Sequence, residues 1–208
     1  MDKTYNQMVD ERLATDSPEV FRNFTQENAK HIVPAFIRSA RQSITILGGS
    51  MPDEFYSDST CDTSGREINR DGSKTSPNVF VSLFEAAERL AETLRDDGKI
   101  PIRIITLNSK DNEKIDAFVE RTNHSVGKQV IKIIHARYTG HRGINHYLVV
   151  DHKRYRLEEP HQPFGDNPPD ILKAEVCCNG PIKAQKLEAS FDSIWCKLNK
   201  DEEEKQHD

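Results

Sequence analysis

The residue types best suited to chemistry are concentrated between positions 144 and 161, in the stretch INHYLVVDHKRYRLEEPH. A histidine such as His146 can serve as a nucleophile or as a general acid. Arginines such as Arg154 and Arg156 can hold phosphate oxygens in a bidentate manner. The stretch also holds two carboxylates, Asp151 and Glu158.

This stretch belongs to a longer basic segment of an otherwise acidic chain. The 208 residues carry 29 Lys and Arg against 34 Asp and Glu, a net charge of -5. Between positions 128 and 156 Asp151 is the single acid, and the bases are Lys128, Lys132, Arg137, Arg142, Lys153, Arg154 and Arg156. This excess favours a phosphate-bearing ligand or nucleic acid. The alternative is that Arg154 and Arg156 pair with nearby acids across a hairpin, leaving a solvated surface.

The run INHYLVVD predicts a strand, and KRYRLEE predicts its return arm after a turn at 151–153. Strand alternation would give one face to Ile144, His146, Leu148 and Val150, and the other to Tyr147, Val149 and Asp151. On the return arm Arg154, Arg156 and Glu158 would share a face. The predicted ligand-binding residues are therefore His146, Asp151, Arg154, Arg156 and Glu158, with Arg142 and His161 from the flanking segments.

Neither the histidines nor the cysteines form a recognisable metal site. Five histidines lie between 135 and 161, but no HExxH or His-x-His pattern is present. The four cysteines include no CxxC pair, and adjacent Cys177 and Cys178 on a strand would face opposite sides. We expect reduced, packed thiols, no metal and no cofactor.

The remaining chain alternates helical and extended patterns. Helices are predicted from DSPEVF through the stripe ending at Ala40, over 78–95, from Ser109 or Asp111, and from Pro181 with Ile182 and Trp195 facing inward. Strands are predicted in SITILGG, PIRIITL, KQVIKIIHARY and ILKAEVCC. This order predicts an α/β domain with a mixed sheet flanked by helices.

The predicted organisation has four parts. Residues 1–16 form a polar helical arm, 17–198 one domain, 51–77 a long polar loop within it, and 199–208 a charged flexible tail. No apolar run approaches the roughly 20 residues that span a bilayer, and the first 16 residues do not resemble a signal peptide. We therefore expect a cytoplasmic protein with no membrane contact.

The hairpin, the opening ARQSITILGG and the closing FDSIW together resemble the phospholipase D-like superfamily, over roughly 21–198. The signature of that family is HxK(x)4D, in which the His attacks or protonates a phosphodiester and the Lys holds its oxygens. With the Asp placed on Asp151, the His position falls on Ile144 and the Lys position on His146. Isoleucine has no nucleophilic atom, so the resemblance implies a degenerate, single-motif member.

Three functions remain open on this resemblance. The first is a binding or assembly module for a phosphate-containing ligand or nucleic acid, within a bacterial defence or mobile-element system. The second is a metal-independent phosphodiesterase or nuclease in which His146 is the nucleophile and Lys153 or Arg156 the clamp. The third is a structural subunit that binds a protein partner through the arm and the 51–77 loop. Single-motif relatives imply a homodimer.

Overall fold

The computed structural model describes residues 3–48, 78–94, 98–107, 113–136, 144–160 and 173–205; the predicted 51–77 loop lies outside them. Within these ranges the helices are α1 Tyr5–Ala14, α2 Gln26–Ser39, α3 Val79–Thr93, α4 Glu113–Val126 and α5 Pro181–Lys205. The strands are β1 Val20–Asn23, β2 Ile44–Gly48, β3 Ile102–Thr106, β4 Ile131–His135, β5 His146–Val150, β6 Arg154–Glu158 and β7 Ala174–Cys177.

The strands form one mixed sheet in the order β1-β7-β6-β5-β2-β3-β4. β2, β3 and β4 are parallel to one another, and the other pairings are antiparallel. We call the end of the sheet at which the three parallel strands finish the carboxyl end, and the opposite end the amino end. The predicted α/β class with a mixed sheet is confirmed.

Each face of the sheet carries its own hydrophobic core. Helices α1 to α4 cover the first face, where Leu148 and Val150 of β5 are buried. Helix α5 covers the second face, where Tyr147 and Val149 of β5 pack against Phe191. The alternation predicted for β5 from Tyr147 onward is therefore confirmed, because successive side chains of a strand point to opposite faces.

The N-terminal part of the prediction needs correction. The predicted helix start at DSPEVF is wrong, because residues 20–23 form β1, which pairs antiparallel with β7. Its alternating burial places Phe21 and Asn23 inward. The helix begins only after Thr25, whose hydroxyl accepts a hydrogen bond from the Asn28 N–H at 3.1 Å.

The predicted arm and tail also differ from the structure. Helix α1 begins with a capping box at Thr4 and buries Val9 completely in the first core, so residues 5–14 pack as part of the domain. Helix α5 continues to Lys205, so most of the predicted flexible tail is helical. Ile182, predicted to face inward, is 76% exposed. No helix in the described ranges is long and apolar enough to cross a membrane.

The two adjacent cysteines are packed as small apolar side chains. Cys177 belongs to the second core and Cys178 to the first, as predicted from strand alternation. Both are buried free thiols, whereas Cys196 on α5 is exposed. Burial raises the pKa of Cys178 to about 11 and also raises the pKa of Cys177.

These differences predict selective thiol chemistry. At pH 8 only about 0.1% of Cys178 would be thiolate, because its pKa lies about three units higher. In the native protein we expect a maleimide reagent to modify Cys196 rapidly, and Cys177 and Cys178 only on unfolding. Peptide mapping after timed labelling measures all three rates. Equal native rates at Cys178 and Cys196 would contradict the packing described here.

Candidate functional site

Asp151, the aspartate of the motif frame, organises the amino end of the sheet. One of its carboxylate oxygens, Oδ1, accepts backbone N–H groups of Arg41 at 2.9 Å, Gln42 at 2.7 Å and Ser43 at 3.1 Å. Its own N–H donates to the Ser43 carbonyl at 3.0 Å. Asp151 and the next residue, His152, have φ angles of +52° and +58°, so the turn between β5 and β6 uses left-handed backbone. Asp151 therefore joins this turn to the segment before β2.

Arg154 is held at the same end by two carboxylates. Its guanidinium donates to Asp16 Oδ1 at 3.0 Å and to Asp151 Oδ2 at 3.3 Å, and its side chain is 12% exposed. Lys153 also pairs with Asp16. These contacts fasten the end of α1 to the hairpin turn. The structure thus favours the ion-pair alternative for Arg154 over a role in ligand binding.

His146 lies at the carboxyl end, at the other end of β5 from Asp151. The two are five positions apart along extended backbone, a distance of about 17 Å at roughly 3.3–3.4 Å per residue. The structure therefore does not bring Asp151 and Arg154 into one site with His146. Of the predicted binding residues, Arg156 and Glu158 lie on the strand beside His146, while Arg142 and His161 fall outside the described residues.

A line of small and polar residues crosses the sheet at its carboxyl end. His146 pairs with Glu158, Gly48 with Thr106, and Thr106 with His135. The β2–β5 register, in which Leu47 faces Tyr147, continues to put Gly48 beside His146. We call these five residues the end row, in the spatial order Glu158, His146, Gly48, Thr106 and His135. Directly paired residues share a face, so the end row lies on the first face.

The β3–β4 part of the end row forms a hydrogen-bonded chain. The Thr106 hydroxyl lies 2.7 Å from His135 Nδ1, and His135 Nε2 lies 2.7 Å from Asp116 Oδ1 on α4. Thr106 is 2% exposed, so it is a buried hydroxyl with a histidine partner. This arrangement fixes the orientation of the His135 ring and leaves the threonine protected from bulk solvent.

The β5–β6 part of the end row is tied to a buried arginine. Arg156 donates through Nε to Asn23 at 3.0 Å and through Nη1 to Glu158 Oε2 at 2.6 Å. The other oxygen of Glu158 lies 3.9 Å from His146 Nδ1. Arg156 Nη2 is buried without a hydrogen-bond partner among the described atoms. The pairing of Arg156 with Glu158, one of the alternatives left open by the sequence, is present.

Ile144 lies on a different face of the sheet from the one predicted. Ile144 was predicted to share the face of His146, but it packs against the second core under α5. It precedes β5, so strand alternation does not extend to it. Gly48, in contrast, is open: a Cβ built on it meets no atom of the described residues within 4 Å.

Sequence reasoning missed three residues of this end of the sheet: Thr106, Asp116 and Gly48 as a neighbour of His146. The carboxyl ends of parallel strands lie at one end of a sheet, so the last residues of β2, β3 and β4 could have been predicted to lie close together. No group of three or more metal-ligating side chains occurs in the part of the chain that the structure describes.

Comparison with known proteins gives structural similarity only. No family model and no curated protein matches the sequence. Nuc, a phospholipase D family member from Salmonella typhimurium, has a similar structure, with a TM-score of 0.52 and 15% identity over 86% of this chain and 95% of Nuc. The archaeal chromatin protein TrmBL2 has a TM-score of 0.51 and 10% identity over 91% of this chain. The match spans 58% of TrmBL2.

The contacts of Asp151 predict a strong effect on stability. Asp151→Ala removes the acceptor of three backbone N–H groups and places alanine at a positive φ. Hydrogen bonds to a charged group contribute roughly 1.5–3 kcal/mol each and are not additive, so we expect the free energy of unfolding to fall by about 2–4 kcal/mol.

Urea denaturation followed by circular dichroism measures this change. Asp151→Asn should lower the free energy of unfolding less than Asp151→Ala, because asparagine tolerates the left-handed backbone and keeps one oxygen acceptor. Asp10→Ala, which removes an exposed carboxylate on α1, is the control. A loss for Asp151→Ala no larger than the loss for Asp10→Ala would show that Asp151 does not organise the turn.

Proposed function

We propose that this chain, which has the phospholipase D-like fold predicted from its sequence, is a binding module for a phosphate-bearing ligand that does not hydrolyse it. The ligand would lie at the carboxyl end of the sheet, against His146 and the open position at Gly48. Nucleic acid is the first ligand class to test, because TrmBL2 is described as a chromatin protein with a novel mode of DNA binding.

The observation that supports this proposal is which residues occupy the His and Lys positions of the motif. The nucleophile position is held by Ile144, which has no nucleophilic atom and whose side chain serves the second core. The clamp position is held by His146, which remains in the end row with a side chain 18% exposed. An imidazole can still donate a hydrogen bond to a phosphate oxygen. Loss of the nucleophile together with retention of a donor supports binding without cleavage.

The surroundings of His146 support a ligand of this kind. Gly48 contributes no side chain next to the imidazole, so a ligand can approach the backbone closely at this point. On the other side Glu158 is bonded to the buried guanidinium of Arg156, which reduces the local effect of its negative charge. An anion near His146 would therefore meet a carboxylate that is already compensated.

One contact favours the alternative of a metal-independent phosphodiesterase with His146 as nucleophile. The 3.9 Å approach of Glu158 Oε1 to His146 Nδ1 could orient the ring for attack through Nε2. That reaction also needs a cation to hold the phosphate oxygens, and both candidates for this role are already paired. Lys153 pairs with Asp16 at the amino end, and Arg156 is already bonded to Asn23 and Glu158.

One experiment distinguishes these functions. Purified protein is mixed with labelled single- and double-stranded DNA and RNA and with bis(p-nitrophenyl) phosphate, with and without EDTA, and binding and cleavage are recorded together. We expect binding without cleavage, and about tenfold or more weaker binding for His146→Ala, because one hydrogen bond to a charged group contributes roughly 1.5–3 kcal/mol. His124→Ala, which changes an exposed histidine on α4, is the matched control.

The other outcomes are equally informative. Cleavage that survives EDTA and disappears in His146→Ala would overturn the binding proposal and establish the phosphodiesterase. Binding that His146→Ala and His124→Ala leave equally intact would remove the ligand from the end row. Absence of both binding and cleavage would reject the proposal and favour the structural subunit, with light scattering then used to test for the homodimer.

A further inference from the structure

A basic groove lies at the amino end of the sheet, at the opposite end from His146. Its volume is about 850 Å³. We call it the amino-end groove and define it by Arg41, Lys99, Arg103, Lys132, His152 and Trp195, which line it. It is formed by the segment before β2, the starts of β3 and β4, the hairpin turn and α5. No residue of the HxK(x)4D frame other than the buried Asp151 is near it.

Among the described residues the charge of this groove is unbalanced. Four Lys and Arg residues of these ranges line it against one acid, Asp192, in a chain whose net charge is -5. Asp192 forms an ion pair with Arg103 at 2.6 Å, so its negative charge is already compensated. Residues 95–97, Arg-Asp-Asp, precede this lining in sequence and lie outside the described residues. Within the described residues the exposed guanidinium of Arg41 forms no ion pair.

The cations are held in place by the fold rather than distributed at random on a surface. Arg103 of β3 pairs in register with Lys132 of β4. Arg103 lies 5.8 Å from the Trp195 ring centre and Lys132 lies 5.7 Å from it, so one indole orients both. The backbone of Arg41 is fixed by Asp151. Arg103 and Lys132 lie on neighbouring strands, which are spaced by roughly 5 Å, so they form two adjacent positive charges.

A half-buried arginine of α3, Arg89, lies close to Arg41. Arg89 of α3 donates to the Arg38 carbonyl at 2.8 Å. Burial lowers the pKa of Arg89 from its usual value, and the positive charge of Arg41 lowers it further. Like charges are therefore close enough to repel each other here.

We propose that the amino-end groove is a second binding site, which holds the phosphodiester backbone of a nucleic acid. Several fixed cations in an open groove match a ligand with repeated phosphates better than a single phosphate ion, because each contacted phosphate releases condensed counterions. Among its described lining residues Gln42 is the one amide and Asp192, paired with Arg103, the one carboxylate, so binding would depend little on sequence. This site lies about 17 Å along the sheet from His146 and does not require the end row to bind.

Fluorescence anisotropy with a labelled 20-nucleotide DNA, single- or double-stranded, tests this proposal between 50 and 200 mM NaCl. The test variant is Arg41→Gln/Lys99→Gln, because both side chains are exposed. We expect affinity to fall on the order of tenfold at 50 mM salt, and the slope of log K against log salt to decrease by about two, one for each phosphate contact. The control is Lys3→Gln/Lys30→Gln, which removes the same charge from two exposed lysines, Lys3 before α1 and Lys30 on α2.

The results separate this site from the one at His146. Loss in Arg41→Gln/Lys99→Gln with full binding in His146→Ala supports the amino-end groove and rejects the end row as the site for DNA. The reverse pattern retains the end row and overturns the second site. Equal losses in the test and control variants would indicate net charge alone and overturn the proposal. Displacement of DNA by inorganic phosphate as readily as by polyphosphate would also overturn it, because the groove would then recognise a single anion.

Discussion

The geometry of the sheet depends on the hydrogen bonds that the carboxylate of Asp151 accepts. It accepts three successive backbone N–H groups, from Arg41, Gln42 and Ser43, which would otherwise have to find other partners at the start of β2. The same aspartate begins the turn between β5 and β6. It therefore fixes β2 against β5, strands that lie about a hundred residues apart in the chain. That register puts Gly48 beside His146 at the far end of the sheet.

The parts of the fold that the sequence predicts well are those coded locally. Alternation along β5 and the helix predicted over 78–95 each depend on a few neighbouring residues. The parts it does not predict depend on distant partners. β1 exists because Val20 to Asn23 pair with β7, over 150 residues later. The burial of Val9 likewise depends on residues of other helices and strands, against which α1 packs.

The candidate site illustrates the same limit in a different way. The extended strand β5 puts His146 and Asp151 at its opposite ends, so they cannot share a ligand although they are only five positions apart in sequence. Charge counting along the chain was also insufficient, because Arg154 and Arg156 are neutralised by Asp16, Asp151 and Glu158. Two of these partners could be anticipated from the hairpin. Asp16 could not, because it comes from the end of α1.

The two ends of the sheet differ in how their charges are satisfied. At the carboxyl end Arg156 and Glu158 form a buried pair, and removing one partner of such a pair is strongly destabilising. At the amino end Arg41 and Lys99 are exposed, and substitutions of exposed side chains usually alter stability little. The charges of Arg41 and Lys99 can therefore change without loss of the fold, whereas those of Arg156 and Glu158 are held in the core.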